Sequence, residues 1–240
     1  MRGKLIGVGT GPGDPDLLTI KAVRAIQSAD VVAYFAKQGN ASNARGIVAS
    51  LITTQIEEQL GYPVTTEIDR RHDDYKSATS AFYAEAAARV ARHLDAGRSV
   101  AVLSEGDPLF YGSYMHIHVR LSQAYETEVV PGITAMSGCW SQAGLPLVQG
   151  DDILSVLPGT LDEVDLRDRV SGNGGAVIMK VGRNLPKIRR AIEAAGKLDS
   201  AIYVERGTMA NGHFIRLADK ADDVAPYFAI VLVPGWSTRP

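Results

Sequence analysis

An alternation constrains this fold more than any other feature of the chain. Over residues 4–130, short apolar runs take turns with amphipathic stretches. The strand-like runs are Lys4 to Gly9 (KLIGVG), Val31 to Phe35 (VVAYF), Val64 to Ile68, Ser99 to Leu103 (SVAVL) and Glu128 to Val130. Helix-like stretches lie between them. One starts at Asp14, with Leu17, Leu18, Val23 and Ile26 near one face and Asp14 or Asp16 as its cap. A second runs to about Leu60, a third is the Ala-rich Tyr75 to Asp95, closed by Gly97, and a fourth covers Tyr111 to Ala124. Uninterrupted apolar runs suit strands buried on both faces, and their alternation with helices implies an α/β fold with a parallel sheet. In such sheets ligands bind beyond the carboxyl ends of the strands. Three loops therefore become candidates: Gly9 to Asp14, Ser104 to Tyr111, and Pro131 to Ala135.

The texture changes after Gly144. Ile153 to Leu157, Ala176 to Val181, Ile202 to Glu205 and Ile230 to Val233 read as strands separated by short helical pieces. This predicts an N-terminal α/β domain over residues 1–138 and a smaller C-terminal α/β domain over 139–240.

Composition narrows the function classes. A formal net charge of −2 argues against generic nucleic-acid binding, which draws on a basic excess. Cys139 is the single cysteine, so an intramolecular disulfide is impossible and a cysteine-built zinc site is disfavoured. His116 and His118 stand two apart in a helix-like stretch and face different ways, a poor metal pair. No metal is expected. No apolar run approaches the roughly 18 residues that would span a bilayer. The opening Met1-Arg2-Gly3-Lys4 leads into a strand-like run and not into a leader, so the expectation is a cytoplasmic protein with no membrane partner.

The first loop, Gly7-Val8-Gly9-Thr10-Gly11-Pro12-Gly13-Asp14-Pro15, lets backbone approach a ligand closely. It also serves as an ordinary tight turn. A dinucleotide fingerprint fails on spacing, because Pro12 stands where the third glycine belongs. It fails again after the second strand, where Ala36-Lys37 replaces the ribose-binding acid. This disfavours a nicotinamide-dependent oxidoreductase. In the second loop, Gly106 permits a sharp turn and Pro108 stiffens it, holding Asp107 at a strand end. That carboxylate suits an ammonium or a ribose hydroxyl, or caps the following helix. In the third, Thr134 and nearby amides suit an adenine or a ribose, or a helix cap. Ser137, Cys139 and the histidines show no triad spacing.

The motifs together resemble a known family. VGTGPGDPDLLTIKAVRAIQSADVV (residues 8–32), SEGDPLFYGS (104–113) and VVPGITA (129–135) are similar, in order and spacing, to the S-adenosylmethionine-dependent tetrapyrrole methylases. EGDPLFYGSYMHIHVRL and PGITAMSGCWSQAGLPLVQGDDILSVLPGTL resemble the branch that methylates carbon 20 of precorrin-2 on the way to cobalamin. The resemblance implies two α/β domains with an active cleft between them, S-adenosylmethionine as methyl donor, a tetrapyrrole substrate and a homodimer. Carried over by motif, Pro12 lines the substrate and cofactor trough. Gly106, Asp107, Phe110 and Tyr111 border the methionine end of the cofactor, with Thr134 and Ala135 along it. Met179 matches an adenine-side methionine, while Glu205, Arg206, Val233 and Pro234 complete the site. Pro12, Asp107 and Tyr111 are the positioning candidates.

Such chemistry needs no triad, because a sulfonium already carries an activated methyl group and a reduced macrocycle supplies a nucleophilic carbon. Holding the two in line contributes up to about 7–11 kcal/mol. A polycarboxylate substrate calls for local basic groups, and Arg70, Arg71, Lys180, Arg183 and Arg206 are the candidates. The alternatives are methylation of cobalt-factor II or at another ring position, and a ligand-binding module without catalysis.

Overall fold

The computed structural model describes residues 2–37, 39–62 and 73–235. The chain divides into two compact units, Met1–Thr134 and Ala135–Pro240.

The first unit is built on β1 (Leu5–Gly9), β2 (Val31–Lys37), β3 (Ile56–Tyr62), β4 (Val100–Ser104) and β5 (Thr127–Val130). They form one sheet in the order β3-β2-β4-β1-β5, and every pairing is parallel. β1 and β4 are buried at every position, which explains their apolar sequences. Helices α3 (Asp73–Asp95) and α4 (Tyr114–Leu121) cover one face, where Val90, Leu94, Tyr114 and Ile117 pack on Leu5, Val100 and Val102. Helices α1 (Ile20–Ser28) and α2 (Asn43–Ile47) cover the other, where Ala22, Ile26 and Ala44 pack on Ile6, Val8 and Leu103.

The structure corrects two expected helices here. The first helix begins at Ile20, not Asp14, and its cap is Thr19, whose hydroxyl accepts from the Ala22 amide at 3.1 Å. Asp14 instead caps the short 3-10 turn Pro15–Leu17 by accepting from Asp16 N at 2.9 Å. The expected helix to Leu60 ends at Ile47, and Ile56–Tyr62 is a strand. Its Glu-Glu-Gln sequence reads as helical, but β3 is an edge strand, where charged side chains protect the rim. There Glu57 pairs with Arg45 at 3.0 Å, and Glu58 with Arg89 and with His93. The strand expected at Val64 to Ile68 lies outside the described residues.

In the second unit, α5 (Ala135–Gln142) precedes β6 (Leu154–Pro158), α6 (Glu163–Val170), β7 (Gly175–Met179), α7 (Leu185–Ala194), β8 (Ile202–Glu205), β9 (His213–Arg216) and β10 (Ala229–Val233). Its sheet runs β6-β7-β10-β8-β9. β6 and β7 are parallel, while β10 is antiparallel to both β7 and β8. Side chains alternate between two cores. Ala176, Ile178, Tyr203, Val231 and Val233 face α6 and α7, whereas Val177, Val204 and Leu232 face α5 with Cys139 and Trp140. β9 escaped the sequence reading because it is a four-residue edge strand, exposed at three of its positions.

Candidate active site

β4, β1 and β5 are adjacent, so the three candidate loops leave one edge of one sheet side by side. After β1 the chain turns to α1 on one face, and after β4 it turns to α4 on the other. Neighbouring strands whose connections part in this way open a crevice beyond their carboxyl ends.

Backbone contact ties the loops together. Gly11 and Gly106 form an antiparallel bridge, with Gly106 N donating to Gly11 O at 2.8 Å. The Ser104 carbonyl accepts from Thr10 N at 2.9 Å and from the buried Thr10 hydroxyl at 3.2 Å. A Cβ on Gly132 would lie 2.1 Å from Gly106 O and 2.9 Å from Gly9 Cα, and one on Gly9 would lie 2.5 Å from Gly132 N. Glycine is required at both positions because the three backbones touch there. Gly106 also holds φ +65°, in the left-handed region.

Asp107 completes the junction. One carboxylate oxygen accepts from Leu109 N at 2.9 Å within its own loop, and the other accepts from Gly132 N at 3.2 Å in the neighbouring loop. The capping alternative for Asp107 is not what the structure shows: the residue before α4 is Ser113. Ser113 in turn is held by the hydroxyls of Tyr62 and of Tyr83, the latter at 3.1 Å. Phe110 is half-buried and stacks edge-on against Tyr111 at 4.9 Å, and Pro12 is buried. Tyr111 is 49% exposed and carries φ +55°, an outlier for a bulky residue. Thr134 and Ala135, both half-buried, continue from Gly132 into α5.

The charge on this edge selects a ligand class. Loops 9–14, 104–113 and 131–135 carry Asp14, Glu105 and Asp107 and no Lys, Arg or His. These loops offer a pyrophosphate no basic side chain, while their acidic character favours a sulfonium or an ammonium.

In the second unit, β7 and β8 flank β10 and end at the same side of the sheet. Met179, Lys180, Glu205 and Arg206 share that end. Met179 packs toward α5, while Glu205, two residues after Tyr203, faces the opposite core. Lys180 and Arg206 are left-handed, at φ +58° and +46°. Arg183 is exposed in the turn Gly182–Asn184 that follows. Val233 and Pro234 are not brought to this group. β10 runs antiparallel, so Val233 pairs with Ala176 at the other end of the sheet. Arg70 and Arg71 lie outside the described residues.

Two contributors were missed by the sequence reading. Tyr203 is fully buried and donates to Glu205 at 2.5 Å. Gln142 Oε1 accepts from Thr208 N at 2.9 Å, holding the loop after β8 to α5. A tyrosine two residues before a strand-end glutamate was the only signal for the first, and nothing local marks the second. The Cys139 thiol is buried and desolvation pushes it up to about 12, which removes it as a nucleophile. His116 stacks on Tyr83 at 3.9 Å and His118 takes the Tyr114 hydroxyl at 3.2 Å. Among the described residues, no group of three His, Cys, Asp or Glu is arranged to hold a metal ion.

A family model for tetrapyrrole (corrin/porphyrin) methylases matches residues 4–221. The chain belongs to the tetrapyrrole methylase family. It is 65% identical over 239 residues to a Sinorhizobium protein named precorrin-2 C(20)-methyltransferase, covering 99% of this chain and 98% of that relative. The methylase fold is matched by the solved structure of a cobalt precorrin-4 methyltransferase, at TM-score 0.73 and 22% identity over 96% of this chain and 94% of that one. A uroporphyrin-III C-methyltransferase from Thermus thermophilus, solved with S-adenosylhomocysteine, gives TM-score 0.67 at 24% identity over 97% and 98%.

Proposed function

We propose that this methylase transfers the methyl group of S-adenosylmethionine to carbon 20 of precorrin-2 in cobalamin biosynthesis. The observation that carries the reading is the 65% identity, end to end, to the relative of that name. The glycine junction and the anion-only loop edge support the donor. When bound, S-adenosylmethionine supplies a methyl group already activated on a cationic sulfur.

The residues of the chain then have three tasks. Gly9, Gly106 and Gly132 let the three loop backbones close on one another to form the donor's bed, and Asp107 fixes the spacing of the two loops that carry Gly106 and Gly132. Pro12, Phe110, Tyr111, Thr134 and Ala135 border the donor. From the second unit, Met179, Glu205 and Arg206 enter the proposal together because they share one sheet end. Lys180 and Arg183 offer charge to substrate carboxylates. Val233 and Pro234 leave the proposed set, being at the opposite end. The reading includes a cytoplasmic homodimer with no metal requirement. Sedimentation velocity tests the dimer, which a monomer at working concentration would contradict. Methyl transfer after dialysis against chelator tests the metal, and activity restored only by an added ion would contradict that part.

Incubation with S-adenosylmethionine and precorrin-2, followed by mass and methyl-position analysis, tests the reaction. Product methylated at carbon 20 is expected. Transfer only to the cobalt-containing analogue, or to another ring carbon, would replace this reading with a sibling activity.

A further inference from the structure

Four described non-glycine residues hold a left-handed backbone, and the side chain of one of them, Arg206, is anchored to a buried carboxylate. At φ +46° a non-glycine residue is strained, and such strain persists only where its surroundings enforce it. Here the backbone is enforced on both sides. Arg206 N donates to Phe228 O at 2.8 Å, and Met209 N donates back to Arg206 O at 2.9 Å. Glycine follows at position 207, so the chain keeps a side chain exactly one position before the residue that would turn at least cost.

The anchor is Glu205, 9% exposed. Tyr203, fully buried and on the same face of β8, donates to one Glu205 oxygen at 2.5 Å. The other oxygen accepts from Arg206 Nη1 at 3.3 Å and lies 3.8 Å from His213 Nδ1. Burial and the neighbouring carboxylate both push the Tyr203 phenol up, so it stays protonated and keeps donating. Lys220 closes the far side, its ammonium 4.8 Å from the Tyr203 ring centre. Glu205 is therefore fixed in place, and it commits a single Arg206 nitrogen. A guanidinium has five N–H donors in a rigid fork, and among the described residues Glu205 is the one partner of this one. The side chain is 36% exposed, with its remaining donors free to meet a planar carboxylate two at a time.

We propose that Arg206 reads a carboxylate of the anionic substrate, and that Tyr203 and Glu205 are positioning residues that aim its guanidinium. The inference rests on the proposed tetrapyrrole substrate and assigns Arg206 to substrate rather than to the methyl donor.

Arg206→Ala, Arg206→Lys and Tyr203→Phe test it in the full chain, with folding monitored by thermal melts. Two affinities are read: S-adenosylhomocysteine by calorimetry, and uroporphyrin, a stable octacarboxylate, by fluorescence. The KM for precorrin-2 is a third readout. Arg206→Ala should weaken uroporphyrin about 10- to 100-fold and raise that KM in step, leaving S-adenosylhomocysteine unchanged. Arg206→Lys, a point charge without the fork, should recover part of the loss. Tyr203→Phe should weaken uroporphyrin several-fold through Arg206 while preserving donor affinity. Loss of S-adenosylhomocysteine binding alone, unchanged uroporphyrin binding in Arg206→Ala, or no uroporphyrin binding by the wild type would each overturn the proposal. Methylation at a different carbon would overturn the proposed reaction and leave the Arg206 result to stand by itself.

Discussion

Replacing Asp107 separates two ways in which a carboxylate can serve a cationic ligand. It can touch the ligand's ammonium, or it can hold the loops that form the ligand's bed. In the structure both of its oxygens are already engaged by amides, at 2.9 Å to Leu109 N and 3.2 Å to Gly132 N. Asp107→Asn is the sharper perturbation. An asparagine keeps one oxygen for the Leu109 turn but turns an NH2 group toward the Gly132 N–H, so donor meets donor. A hydrogen bond to a charged group contributes about 1.5–3 kcal/mol. At 3.2 Å the lower end applies, and about 1.5 kcal/mol corresponds to roughly a tenfold weaker complex if the loops must be re-closed on binding. Calorimetric titration with S-adenosylhomocysteine and with 5′-methylthioadenosine, which lacks the amino-acid end, distinguishes the two roles. The loop-holding role predicts that Asp107→Asn weakens both ligands by a similar factor. If S-adenosylhomocysteine alone weakens, Asp107 meets the ammonium and the reasoning is refuted. Unchanged affinity for both, with only a lower melting temperature, would reduce Asp107 to a structural turn.

Further outcomes follow from the same geometry. Gly132→Ala forces a methyl to 2.1 Å from Gly106 O, so it should cost about 1–3 kcal/mol and abolish donor binding, read by a melt and by calorimetry. S-adenosylhomocysteine at about 100 times its Kd should stabilise the fold by roughly 2.7 kcal/mol, while NAD leaves the melt unmoved. Cys139 should resist iodoacetamide in the native protein at neutral pH and react once denaturant exposes it, as mass spectrometry would show. Glu128, bonded to Lys21 and Lys4, has its carboxyl lowered from 4.5 to about 2. A lowered folded-state value stabilises above pH 4.5 and loses that contribution as pH falls toward 2. These groups are partly solvated, so Glu128→Gln should remove under about 1 kcal/mol at pH 7, and in urea melts the difference should shrink as pH falls from 4.5 and vanish below 2.

The sequence exposed those parts of the fold that burial dictates. β1 and β4 are apolar because both faces are covered, and the glycine loops that follow them mark the ligand edge in the sequence itself. β3 was hidden because an edge strand needs charge, and Glu57-Glu58-Gln59 reads as a helix until Arg45, Arg89 and His93 are seen to pair with it. The same limit applies to the site. Asp107 was visible as a stiffened carboxylate, but its bond to Gly132 joins residues 25 apart and no local pattern records it. The family resemblance placed Val233 and Pro234 in one site with Met179. Strand direction decides at which end of the sheet they lie, and the antiparallel insertion of β10 was not legible in AIVLV.

The central claim is the transfer itself. Purified protein incubated with S-adenosylmethionine bearing an isotopically labelled methyl group and with precorrin-2 should yield a product one methyl group heavier, with the label at carbon 20 by NMR. Label at any other ring position, or none in the tetrapyrrole while the donor stays intact, would contradict the account.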